Sequence, residues 1–191
     1  FKYFYARKHT WLYEARNYAI ERSSGEFIAF LDVDDWWLPG KLEMQMVLFS
    51  DMEVGFTCGN YLLYNERKRK TWVALKDNIP TGWVLDELLH SYFVGLLTLM
   101  VRRSALDSLQ YLCDARYHVM GDLDLVIRLS IDWKLDAVQE PIAVCRKHGN
   151  NELIKHRARH ISELQCWIKE MSQVQEIRSS SSFHYVKINY T

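Results

Sequence analysis

Three carboxylates, Asp32, Asp34 and Asp35, fall within four positions directly behind the apolar start of "FIAFLDVDD", residues 27–35. Like charges this close repel, and each raises the others' pKa unless a cation stands among them. Oxygen ligands suit hard ions such as Mg²⁺ or Mn²⁺, and Mg²⁺ is commonly held by one or two carboxylates plus substrate phosphates. In an extended DxD stretch alternate side chains point the same way, so Asp32 and Asp34 can converge on one ligand. The competing reading is a helix N-cap within a solvated acidic loop.

The elements around the acids argue for the ligand. Residues 12–24, "LYEARNYAIERSS", carry helical spacing, with Leu12, Ala15, Ala19 and Ile20 on one face and Gly25 as the stop. "EFIAFLDV" is a short apolar run of the kind that forms a strand buried on both faces. The acids therefore lie where a strand ends, the place where open α/β sheets bind ligands. Pro39 announces a helix over "KLEMQMVLFSDM". "VGFTCGNYLLYN" reads as one strand or two joined at Gly59-Asn60, "ERKRK" as a basic run, "DELLHSYF" as helical and "LTLMVRRSAL" as a strand entering a helix at Ser104. "GDLDLVIRLSID" follows as a helix, then two extended pieces flank Pro141, and a long amphipathic helix leads into the polar, serine-rich end. These segments predict one domain over residues 1–175 and a C-terminal tail over 176–191.

Composition narrows the class. The 191 residues carry 24 basic and 24 acidic side chains, and this zero balance argues against a nucleic-acid binder. A hydrophobic share of 49% speaks for a packed core. No apolar run is long enough to span a membrane. Cys58, Cys113, Cys145 and Cys166 have neither CxxC spacing nor a disulfide-dense pattern, which predicts four buried, reduced thiols and a cytoplasmic setting.

Two known patterns share the acid triplet. The DxDx(T/V) signature of haloacid-dehalogenase-type phosphatases wants Thr or Val two places after its second Asp, where Trp36 stands, and lacks a preceding charged helix. The other match is far longer. "EARNYAIERSSGEFIAFLDVDDWWLPGKLEMQ", residues 14–45, resembles the family 2 glycosyltransferases, whose members carry "ARN", "GEYI.FLD.DD", a Trp, a Pro and "KLE.Q" at this spacing. "LTLMVRRSAL" (97–106), "GDLDLVIRL" (121–129) and "CRKHGNN" (145–151) are similar to later family segments in the same order, so the resemblance covers most of residues 10–152.

That resemblance implies an α/β fold: a GT-A-like three-layer α/β/α sandwich with a mostly parallel sheet, N-terminally incomplete because the family's two opening strands have no counterpart here. It implies metal-dependent, inverting transfer of a sugar from a nucleotide-sugar donor, a UDP-sugar by expectation. The acceptor would be a saccharide or lipid-linked glycolipid in bacterial cell-surface polysaccharide synthesis. Asp34 becomes the main ligand for Mg²⁺ or Mn²⁺, with Asp35 and His148 assisting. Asp32 and Arg16 face the donor's ribose and phosphates. Asp122 stands at the family's base position, taking the proton of the attacking acceptor hydroxyl; Gly121 departs from the Glu usual before it. Trp36 and Trp37 are candidates to stack on a sugar or base. Asp124 and Arg128, four apart on one helix, read as a structural pair. His156, Arg157, Arg159 and His160 form a basic stripe, read as a solvated face or a peripheral contact with the inner face of a membrane. An incomplete sheet predicts a homodimer or a covering segment. The rival reading is a non-catalytic nucleotide- or sugar-binding module with the same shape.

Overall fold

The computed structural model describes residues 2–148 and 157–190. In chain order these are α1 (Leu12–Arg22), β1 (Phe27–Ala29), β2 (Trp36–Trp37), α2 (Lys41–Leu48), β3 (Val54–Asn65), β4 (Lys70–Val73), α3 (Leu85–His90), a 3-10 turn (Leu96–Thr98), β5 (Met100–Arg102), α4 (Arg103–Asp107), α5 (Gly121–Asp132), β6 (Lys134–Lys147), α6 (Arg157–Met171), α7 (Gln175–Ser179) and α8 (Ser181–Tyr190). The strands form one sheet in the order β1-β5-β3-β6-β2, with β4 paired to β3.

The sheet is covered on both faces. Phe56 and Cys58 point to one side of β3 and join a large core with Leu88, Val101, Leu125 and Trp167. Thr57 points to the other side, where its hydroxyl accepts from Gln45 of α2 at 2.9 Å. On that same side Phe49, Val54 and Met100 make a smaller cluster, with Phe27 and Ala29 against it. The α/β layering predicted from the sequence is thus present.

The expectation of a mostly parallel sheet needs correcting. β3 and β6 run parallel through a long ladder, while β1–β5, β3–β5, β3–β4 and β2–β6 are antiparallel. Parallel neighbours need a long crossover, and only the β3–β6 pair has one built of helices (α3, α4 and α5). The basic run "ERKRK" lies at the β3–β4 hairpin, where Arg69 takes a φ of +48°.

Local expectations fare unevenly. β3 is one strand, not two, and the Gly59-Asn60 point is a bulge. There the Asn60 amide fixes the chain after β4, donating to the Leu75 carbonyl at 2.8 Å and accepting from its N–H at 3.1 Å. β6 likewise runs unbroken through Pro141. β1 covers only three residues at the sheet edge. On α1 the buried face is Tyr13 and Ile20, with Arg16 and Asn17 half-buried, while Leu12, Ala15 and Ala19 are exposed. Polar bonds override the apolar spacing: the Asn17 side chain donates to the Cys113 carbonyl at 2.7 Å and accepts from its N–H at 2.9 Å. α1 stops at Arg22 with Ser23 as its cap, so Gly25 is not the stop.

The predicted tail over 176–191 is also corrected. Ile177 and Phe183 are buried in the main core. Ser180 accepts from the Phe183 N–H at 3.2 Å, as a cap three residues ahead does, and its hydroxyl donates to Asp86 of α3. The serine run is a helix start, which its low complexity concealed. Of the four cysteines, Cys58 and Cys113 are buried, Cys145 is half-buried and Cys166 is exposed, so the expectation of four buried thiols holds for two.

Candidate active site

The antiparallel pairing of β2 with β6 builds the acidic wall. Trp36 lies opposite Val144 and Trp37 opposite Ala143, which carries residues 30–35 alongside the end of β6. Two contacts lock the register. The Arg146 N–H donates to Asp35 Oδ1 at 2.9 Å, and His148 Nε2 meets Asp34 Oδ2 at 2.8 Å. Gly40 lets the chain turn back into α2 with a φ of +81°, a conformation that side chains rarely take.

Helix α1 forms the second wall. The Arg16 guanidinium donates to Asp32 Oδ1 at 2.7 Å, a pair in which the arginine is largely buried and the carboxylate half-exposed. One turn earlier, the Tyr13 hydroxyl donates to Asp122 Oδ1 at 3.1 Å. Asp122 is in the first turn of α5, where a carboxylate is favoured by the unpaired backbone N–H groups. The approach to α5 is pinned from behind by Glu163 of α6, whose carboxylate accepts from the N–H groups of His118 (2.9 Å), Val119 (3.0 Å) and Met120 (3.2 Å).

These walls enclose a single cleft of about 530 Å³. Arg16, Asp32, Asp34, Asp35, Asp122 and His148, the six residues singled out in the sequence, all line it. Tyr13, His118 and Cys145 line it too and were not anticipated. Tyr13 stands three residues before Arg16 on one helix face, and that spacing was the available signal. Neither Trp36 nor Trp37 belongs to the lining. The Trp37 indole donates to the Leu97 carbonyl at 2.9 Å, and Trp36 packs edge-on to Tyr64, so the pair packs the loop. Asp124 and Arg128 form the structural pair expected, 2.8 Å apart, with Trp167 donating to the other carboxylate oxygen at 3.0 Å. Arg146 turns its guanidinium to Glu66. Gly149, Asn150 and Asn151 of the "CRKHGNN" segment, and His156 of the basic stripe, lie outside the described residues; of the rest of that stripe, Arg159 is exposed and His160 half-buried.

The electrostatics divide the acids. The hydrogen bond from His148 holds the Asp34 carboxyl below its ordinary pKa. Burial, then the neighbouring Asp34 and Asp32, pushes Asp35 up. Burial likewise raises Asp122, against the pull of Arg16. A raised carboxyl pKa is what a general base needs, since basicity falls with acidity. Among the described residues no three His, Cys, Asp or Glu side chains converge tightly enough to cage an ion. Asp34, Asp35 and His148 instead offer oxygen and imidazole donors on one wall. Such a partial set fits a hard cation that draws its other ligands from bound phosphates.

Comparison with known proteins places this geometry. The profile described as glycosyl transferase family 2 matches residues 1–109. The chain is 35% identical over 97 residues to the Escherichia coli UDP-Glc:alpha-D-GlcNAc-diphosphoundecaprenol beta-1,3-glucosyltransferase WfgD, a match spanning 51% of this chain and 37% of that protein. It is 32% identical over 96 residues to the putative teichuronic acid biosynthesis glycosyltransferase TuaG of Bacillus subtilis, covering 50% of this chain and 37% of the relative. In both cases the match spans well under half of the relative. The fold is similar to that of S. aureus TarS 1–349 in complex with UDP-GlcNAc, with a TM-score of 0.68 at 12% identity over 92% of this chain and 52% of that one. A profile match across more than half of its length decides the family: the chain belongs to glycosyl transferase family 2.

Proposed function

We propose that this chain carries the catalytic cleft of an inverting glycosyltransferase, moving a sugar from a nucleotide-sugar donor to a saccharide or lipid-linked acceptor in cell-surface polysaccharide synthesis. A UDP-sugar is the donor we favour, in keeping with the UDP-GlcNAc complex of the TarS neighbour and the UDP-Glc in the WfgD name. The observation that carries the reading is the single cleft in which three clustered acids and Arg16 face Asp122.

Each side chain has a role in this reading. Arg16 holds the Asp32 carboxylate in the orientation in which it meets the donor, and adds positive charge beside the phosphates. Asp34 and Asp35, with His148, would hold Mg²⁺ or Mn²⁺, which when bound neutralises the departing diphosphate. Asp122 accepts the proton of the acceptor hydroxyl as that oxygen attacks the anomeric carbon from the face opposite the leaving group. Its half-buried position keeps the carboxylate short of water and therefore basic enough for the task.

The test combines two variants and a donor screen. Asp122→Asn is expected to lower transfer by at least about a hundredfold while UDP still binds; unchanged turnover removes Asp122 as the base. Asp34→Ala is expected to abolish the Mn²⁺-dependent gain in UDP affinity seen by calorimetry. Equal affinity with and without the ion in the parent protein defeats the metal assignment. Silence with every nucleotide sugar, in a folded sample that binds UDP, favours the binding-module reading instead.

A further inference from the structure

Residue 121 is glycine, and the structure gives that glycine a reason. A Cβ built there would lie 2.7 Å from the Tyr13 ring, far inside contact distance. The ring occupies the place where a side chain at 121 would stand. Tyr13 itself is 2% exposed, so a side chain at 121 would have to push the ring off its place. From that position its hydroxyl reaches Asp122 Oδ1 at 3.1 Å, and the Arg16 guanidinium lies 5.2 Å from the ring centroid. Two residues that line the cleft, Asp122 and Arg16, are therefore in reach of one aromatic side chain on α1.

We propose that Tyr13 is a positioning residue for the transfer: admitted by Gly121, it holds the Asp122 carboxylate toward the cleft through a donated hydrogen bond. This rests on Asp122 being the base. With the phenol on one carboxylate oxygen and the backbone N–H groups of Asp122 and Leu123 beside it, the carboxylate keeps lone pairs to receive the acceptor's proton. It also stabilises the ionised carboxyl against the burial that raises its pKa. The groups facing Asp122 are Tyr13 and Arg16 from α1, Cys113, and Tyr92 from the segment ahead of the 3-10 turn. The acidic loop, His118 and His148 stand across the cleft. The Tyr92 hydroxyl is buried and has no hydrogen-bond partner among the described residues, so the phenol that acts on the carboxyl directly is Tyr13.

Tyr13→Phe keeps the ring and deletes only the donor. Its acid limb in the pH dependence of kcat is expected to move up by about one pH unit, with kcat down about tenfold at pH values on that limb and donor KM within about twofold. Asp122 titration followed by carboxyl ¹³C NMR should move up by the same amount, independently of turnover. Gly121→Ala should reproduce that shift by displacing the ring, and should add nothing to it in the Tyr13→Phe background. An Asp122 titration unmoved by Tyr13→Phe, or a variant altered only in melting temperature, overturns the positioning role. A titration that moves while the kinetic limb stays put, or full turnover in Asp122→Asn, shows instead that the base was wrongly assigned, and the role falls with it.

Discussion

Lys41 is 1% exposed, an uncommon fate for a lysine. Its ammonium donates to Gln45 Oε1 at 2.6 Å and lies 4.4 Å from the centroid of the Trp37 ring, while the Gln45 amide donates on to Thr57 (2.9 Å) and to the Thr98 carbonyl (2.8 Å). Burial pulls its pKa down from 10.5 to about 8. The folded protein thus releases a proton that the unfolded chain keeps between these two pH values, so this side chain adds stability as pH rises through the window. Relative to Lys41→Met, the parent should gain about 2 kcal/mol between pH 8 and 10.5, read from urea unfolding at each pH. A constant difference between the two proteins would refute the buried-amine account. The acids and Arg16 were legible because they sit in one contiguous string whose spacing is itself the signal. Tyr13 and Glu163 were not, because their partners lie far away along the chain and only folding brings them together. Lys41 has Gln45 and Trp37 four residues to either side, but its burial follows only from the packing of α2.

Among elements, α6 does the most for the cleft without entering it. Glu163 is buried and supplies acceptors for the backbone N–H groups that lead into α5. Trp167, one turn on, bonds to Asp124 of the same helix. Glu163→Ala would leave three donors unpaired and remove a negative charge from a helix start, at a cost of about 3 kcal/mol. Amide exchange at His118, Val119 and Met120 should accelerate more than in the rest of α5, whereas a uniform acceleration would point to general loosening. Helices were readable from their spacing, and so was the strand-end placement of the acids. Which face of α1 is buried was not, since side-chain hydrogen bonds, not apolar period, orient it. Strand direction was misjudged for a related reason: short antiparallel ladders leave no crossover to read.

For the whole molecule, the last helices belong to the fold. The Phe183 ring is 1% exposed and packs edge-on to Trp167 with centroids 6.1 Å apart, which links α8 through α6 to α5. Phe183→Ala should cost about 3 kcal/mol and lower the midpoint of one cooperative unfolding transition. A silent substitution would restore the detached tail that the serine run suggested. The one parallel ladder carries a different consequence. It joins Cys58 to Ala137 and Asn65 to Lys147, so the centre of the sheet cannot zip until some eighty intervening residues have been gathered in. Closing so distant a contact exacts its entropy before it returns any bonding, and chains built on such contacts fold in about milliseconds to seconds, not microseconds. While β3 waits for β6, its apolar edge stands open, and the nascent chain is then most exposed to pairing with a neighbour.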